Sequence, residues 1–143
     1  LVHFSINGYE SEKLYAKMFK NMAELKCLEF RSNKINIIEN ESFCNLKKLE
    51  KIDLSDNLLN EFDSSLYINL KYLKKLNLSS NKITSLEPFC FSQFKLLEFL
   101  NLSSNKLISI DSNLFAGLYN LTVLNLSYNN LTFNEIENNI EYM

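Results

Sequence analysis

Glycine and proline, the residues that usually turn a chain, are nearly absent: 143 residues include two glycines and one proline. Tryptophan is missing and histidine occurs once, whereas asparagine occurs 21 times. Asparagine tolerates the left-handed backbone region and bonds its own main chain, so it is the expected substitute for glycine at bends. No apolar run approaches the ~20 residues that a membrane-spanning helix requires. The segment Leu1 to Glu10 has neither the charged start nor the apolar stretch of a signal peptide, and no initiator methionine precedes it. The expectation is a piece of a longer chain. A net charge of −2 gives no general attraction to nucleic acid or to an anionic membrane. With 46% hydrophobic and 22% charged residues, the composition is that of a folded domain, not of a disordered tail.

Catalytic signatures are missing too. There is no G-x-x-x-x-G-K-[ST], H-E-x-x-H, G-x-S-x-G or C-x-x-C. His3 has no cysteine or carboxylate spaced along the chain to support it, and a general base needs an orienting partner. The expectation is no catalytic residue, no cofactor and no metal.

What the chain does have is a repeat. Aligned from Leu25, a period of 24 residues runs without a gap, and repeats begin at Leu25, Leu49, Leu73, Leu97 and Leu121. Each opens with L-x-x-[LI]-x-[LF]-x-x-N-x-[IL], which sets Asn33, Asn57, Asn81, Asn105 and Asn129 in one column. An aromatic column of Phe43, Tyr67, Phe91 and Phe115 follows, with Leu46, Leu70, Phe94 and Leu118 three residues on. Alternation in the opening motif predicts a short strand with one face buried. Stacked repeats pair such strands into a parallel sheet, and the asparagine turns inward to satisfy backbone groups at the bend. One repeat cannot bury its apolar edge alone, whereas five or six stacked ones can. The domain therefore reads as 1–143, with 1–24 a degenerate first repeat. Regular repeats occupy 25–48, 49–72, 73–96 and 97–120, and 121–143 is an incomplete last one. Ile136, Ile140 and Met143 recur at helical spacing and predict a short amphipathic helix that partly covers the last repeat. With no strongly polar cap, the expectation is that more repeats follow or that this end packs against another chain.

These columns resemble the typical leucine-rich-repeat class. The stretch L-x-x-L-N-L-S-x-N at residues 73–81, 97–105 and 121–129 is most similar to Toll-like receptors and other extracellular animal repeat proteins. The resemblance implies an α/β solenoid, with short parallel strands on a concave face and loops or 3-10 turns on the convex one. It also implies recognition of a protein or other macromolecule through the concave face, in a receptor ectodomain or a secreted immune or adhesion protein. An intracellular scaffold and a structural spacer are the alternatives.

On that face the exposed columns are Cys27, Lys51, Lys75, Phe99, Val123 and Glu29, Asp53, Asn77, Asn101, Asn125. The preferred contacts are Lys51, Asp53, Lys75, Phe99, Val123 and, nearby, Tyr128. Lys26, Glu50, Lys74 and Glu98 alternate in sign, as a device that keeps adjacent strands in register. Lys47, Lys48 and Lys71 join Lys51, Lys74 and Lys75 in a basic band that reads as a solvated flank; with only Tyr72 interleaved, nucleic-acid stacking is not expected. Glu39, Asp63, Glu87, Asp111 and Glu135 form an acidic column suited to capping short helical turns. Six sequons, at Asn40, Asn77, Asn101, Asn120, Asn125 and Asn130, offer N-glycan positions, whereas three cysteines without a bridging partner suit a reducing compartment.

Overall fold

The computed structural model describes residues 1–132, so Glu135 and the helix expected around Ile136, Ile140 and Met143 lie outside the described residues. Among the described residues eight short strands occur: β1 (His3–Ser5), β2 (Lys13–Leu14), β3 (Cys27–Glu29), β4 (Ile37–Ile38), β5 (Lys51–Asp53), β6 (Lys75–Asn77), β7 (Phe99–Asn101) and β8 (Val123–Asn125). Six of them form one parallel sheet in the order β1-β3-β5-β6-β7-β8, and β2 pairs with β4. The register is the sequence period itself: His3 faces Cys27, Lys51 faces Lys75 and Phe99 faces Val123. This is the expected solenoid. Among the described residues its outer side carries 3-10 turns at Ala16–Phe19 and Ser64–Tyr67, and no α-helix.

Burial follows the columns. Leu28, Ile52, Leu76 and Leu100 point inward from the sheet and are fully buried, as are Ile35, Ile83 and Leu107 beyond the bend. Each such side chain contributes about 1.5–3 kcal/mol when removed from water. Behind them runs an aromatic spine, with ring centroids 5.2 Å apart for Phe43 and Tyr67, 4.7 Å for Phe62 and Tyr67, and 4.9 Å for Phe62 and Phe91. Phe62 lies outside the periodic column, yet it bridges two members of it.

The asparagine column forms the predicted ladder. The Asn81 amide donates to the carbonyls of Leu54 at 2.9 Å and Leu78 at 3.1 Å, and its Oδ1 accepts from the Leu59 N–H at 3.0 Å. Asn57 and Asn105 repeat the arrangement one turn away on either side. Asn129 does likewise, reaching back to Leu102 and Leu107. Asn33 closes the series incompletely: its amide reaches the Ile6 carbonyl at 2.9 Å, but its buried Oδ1 has no partner. The residue one repeat before the usual donor is Ser11, whose N–H is turned onto the Tyr9 carbonyl instead.

One expectation about these residues fails. The left-handed bend is made by the residue before each asparagine, or before Tyr9 in the first repeat, not by the asparagine. Gly8, Ser32, Asp56, Ser80, Ser104 and Tyr128 have φ of 69°, 55°, 55°, 54°, 55° and 56°. A side chain in that region costs about 1–2 kcal/mol, and only the first repeat avoids this with glycine. The neighbouring asparagine bonds hold the corner in place, so the scarcity of glycine is offset by side-chain amides.

Two members of the acidic column cap as expected, Glu39 differs, and the Glu87 carboxylate accepts no hydrogen bond among the described residues. Asp63 accepts from the Ser65 N–H at 2.9 Å and Asp111 from the Asn113 N–H at 2.8 Å. Glu39 instead reaches across to Ala16, the first residue of the neighbouring repeat's 3-10 turn, at 2.9 Å. That N–H, helped by Lys13 at 3.0 Å, holds the Glu39 carboxyl below its usual range. At the strand starts Glu50 lies 3.0 Å from Lys26 and 2.9 Å from Lys74, the anticipated register clamp. Glu98 does not join this chain of ion pairs among the described residues.

Candidate functional site

The concave face divides in two according to whether its polar groups are already engaged. In the first three turns they bind each other. Glu29 is buried, takes a hydrogen bond from Lys51 and lies 3.2 Å from the Arg31 guanidinium. The Lys51 ammonium chiefly, with help from Arg31, holds the Glu29 carboxyl below its usual range against the opposing effect of burial. Asp53 was expected among the contacts, but it is 5% exposed. Its Oδ1 accepts from the Ser55 hydroxyl at 2.6 Å and the Ser55 N–H at 3.1 Å, so it stabilises its own turn. Lys51 is half-buried and committed to Glu29. Of the expected early contacts, only Lys75 is exposed and free of an ion pair among the described residues.

From β6 onward the face changes character. A shallow hollow of about 220 Å³ is bounded by Lys51, Ile52, Asp53, Lys75, Asn77 and Phe99. Phe99 is half-buried beside it, and its neighbour across the sheet, Val123, is 45% exposed. Tyr128 stands at the bend after β8, 85% exposed, on a left-handed backbone that a bulky residue seldom adopts. The structure thus brings Lys75, Phe99 and Val123 into one surface and places Tyr128 at the following corner.

The sequon asparagines separate by environment. On the strands, the oxygens of Asn77, Asn101 and Asn125 accept from the N–H groups of Ser79, Ser103 and Ser127 at 3.2, 3.0 and 3.0 Å. Asn40, Asn120 and Asn130 are exposed, although Asn120 donates to the Lys95 carbonyl at 2.6 Å. All three cysteines are free thiols. Burial pushes the Cys90 thiol up to about 12, which makes it inert as a nucleophile near neutral pH.

His3 was missed. Taken alone in the sequence it had no support, but the stacking register sets it opposite Cys27, with its Nε2 3.6 Å from Glu29. Adding one period to position 3 gives position 27; that signal was available.

Three overlapping segments, residues 5–59, 47–107 and 100–137, match the leucine rich repeat family model. The chain belongs to the leucine-rich-repeat family. No curated protein matches its sequence. Among solved structures, this leucine-rich-repeat chain is similar to TLR13 in its complex with ssRNA13, with a TM-score of 0.83 and 24% identity, over 99% of this chain and 24% of that one. It is also similar to a structure of the Toll–Spatzle complex of Drosophila, with a TM-score of 0.79 and 24% identity, over 90% of this chain and 19% of the other. At that identity the likeness is one of fold. The chain spans about a quarter or less of the length of the structures it matches.

Proposed function

We propose that this leucine-rich-repeat segment is a protein-binding part of an extracellular or cell-surface receptor ectodomain, with its contact surface on the later concave strands. Lys75, Phe99 and Val123 form the centre, Tyr128 the corner and Lys51 the flank; Asp53 drops out. The observation that carries the reading is the contrast along the sheet. The polar groups of β3 and β5 are spent on one another, whereas Lys75, Phe99 and Val123 offer a cation beside exposed apolar surface with no internal use. Such a pairing suits a partner with an apolar anchor next to a carboxylate. The fold likeness to TLR13 and Toll supports a macromolecular partner. This reading assigns no catalytic step to the segment.

A photo-crosslinking residue at position 99 is expected to capture the partner on cells, while the same residue at Ile108, exposed outside the sheet, does not. Lys75→Glu and Phe99→Ala should then each weaken the captured partner about tenfold or more, the loss typical of a central contact, with melting unchanged. Equal capture at both positions would put the surface elsewhere. Because the similar TLR13 structure is a complex with ssRNA13, an RNA oligonucleotide belongs in the same assay. Binding whose strength falls steeply with salt would replace the protein reading.

A second reading, an intracellular scaffold, is favoured by the three free thiols. Intact-mass measurement of the native protein separates the two. Secretion predicts glycans at exposed Asn40 and Asn130, and a chain bare at every sequon with reduced thiols favours the cytosol.

A further inference from the structure

The same register that stacks the repeats collects three metal-ligating side chains at the start of the concave sheet. His3 on β1 faces Cys27 on β3, and Glu29, two residues along β3, projects to the same side. One donor atom from each lies within 4.8 Å of the others. His3 Nε2 is 3.6 Å from Glu29 Oε2, and Cys27 Sγ is 3.8 Å from Glu29 Oε1. A tetrahedral zinc ion, with ligand bonds of about 2.0–2.3 Å, sets neighbouring donors about 3.3–3.7 Å apart. Both distances are close to tetrahedral length although they end on different Glu29 oxygens, one donor atom from each residue comes within 4.8 Å of the other two, and the donors sit on paired strands, not on a loop. We infer that His3, Cys27 and Glu29 bind one zinc-class divalent ion on the concave face, with the fourth position open to water or to a ligand atom of the partner.

The donor set selects the ion. Sulfur, imidazole nitrogen and a single carboxylate suit zinc and similar borderline-soft ions, whereas calcium takes six or more oxygens. On binding, the Cys27 thiol gives its proton to solvent, and the thiolate and carboxylate together neutralise the ion's two charges. The competing cost is the ion pair already on Glu29. Lys51 must leave its oxygen, and its flexible stem, with the side chain 39% exposed, lets the ammonium swing into water. Arg31 can remain on the other oxygen and orient the carboxylate, as outer partners of metal ligands do. His3 is exposed and Cys27 half-buried, so an ion reaches them from the open side of the sheet.

Titrating the reduced chain with Co²⁺ tests this directly, because a thiolate-to-cobalt charge-transfer band reports sulfur coordination. One equivalent is expected to bring up the band together with the visible bands of a tetrahedral site, and Zn²⁺ to displace it. Cys27→Ser should abolish the band, Cys44→Ser should keep it, and His3→Ala should weaken binding at least about tenfold. Positions 3 and 27 lie on the accessible face, and an unchanged melting curve without metal verifies the fold of each variant. Absence of a thiolate band in the native sequence overturns the site. So does a band that survives Cys27→Ser, which would assign the metal to Cys44 or Cys90, or an affinity indifferent to His3→Ala.

Discussion

Replacing Asn81 with alanine is expected to lower stability by about 3 kcal/mol, seen as a lower midpoint in urea unfolding. The size follows from what the amide does. Its oxygen is the partner of the Leu59 N–H, which becomes a buried donor without an acceptor, at a cost of about 1–3 kcal/mol. Its nitrogen also leaves the carbonyls of Leu54 and Leu78. Those keep one bond each, from Asn57 and Asn105, so their loss is partial. Asn81→Asp preserves shape but sets a second acceptor against those two carbonyls, and it should be at least as damaging as alanine. Asn33→Ala is the internal comparison. Its Oδ1 has no partner to lose, so a cost near 1 kcal/mol is expected from its donated bonds. A tolerated Asn81→Asp, or equal costs at positions 33 and 81, would show that the amides do not hold the bends.

The same residues show how much could be read from the sequence. A fixed spacing of leucines, asparagines and aromatics specifies the strand register, because parallel stacking repeats every contact at the period of the pattern. Leu76 and Asn81 therefore fall where the pattern puts them. The bend was legible in place but not in mechanism. Periodicity marks Asn81 and leaves the position of Ser80 variable, and only backbone angles show that the serine takes the strain while the asparagine supplies the bonds. On the concave face the columns were legible and the pairings were not. Lys51 bonds Glu29 diagonally across the sheet, and Asp53 folds onto Ser55 within its own turn. Such choices depend on side-chain length and local burial, which a column of letters does not carry. His3 differs for another reason: its neighbours along the chain offer no support, whereas the nearest thiol comes from the adjacent strand.

This division also supports the proposed contact surface on one part of the arc. A solenoid's interior must repeat, because each turn packs on the one before; its exposed strand positions are under no such rule. Cys27, Lys51, Lys75, Phe99 and Val123 share a column and differ in chemistry at every step except one. The early members are drawn into contacts that tie the first strands together, with Arg31 3.8 Å from Asp53 in the next turn as well as beside Glu29. The later ones face outward on a backbone held rigid by the ladder beneath. A preformed surface loses little freedom on binding, so a modest patch can contribute more than its area suggests.

The spine gives the other large expected effect. Phe91→Ala should cost about 3–5 kcal/mol, the range for emptying a buried aromatic site. Phe91 is fully buried and touches three neighbours, with ring centroids 4.9 Å from Phe62, 6.4 Å from Phe94 and 6.5 Å from Phe115, the last stacked within 2°. The cavity would lie between turns, where neither sheet nor ladder can close it without breaking register. Phe91→Leu keeps most of the volume and should lose no more than about 1.5 kcal/mol. Phe89, two residues earlier, is 52% exposed and has a φ of 61°, so Phe89→Ala should be nearly neutral. Because each repeat is stabilised chiefly by its neighbours, the hole at Phe91 should also weaken coupling along the stack. Amide hydrogens of β7 and β8 are then expected to exchange faster than those of β3 and β5 in the same molecule. A loss below about 1 kcal/mol, or uniform exchange along the arc, would mean that the aromatic column fills space without joining the repeats.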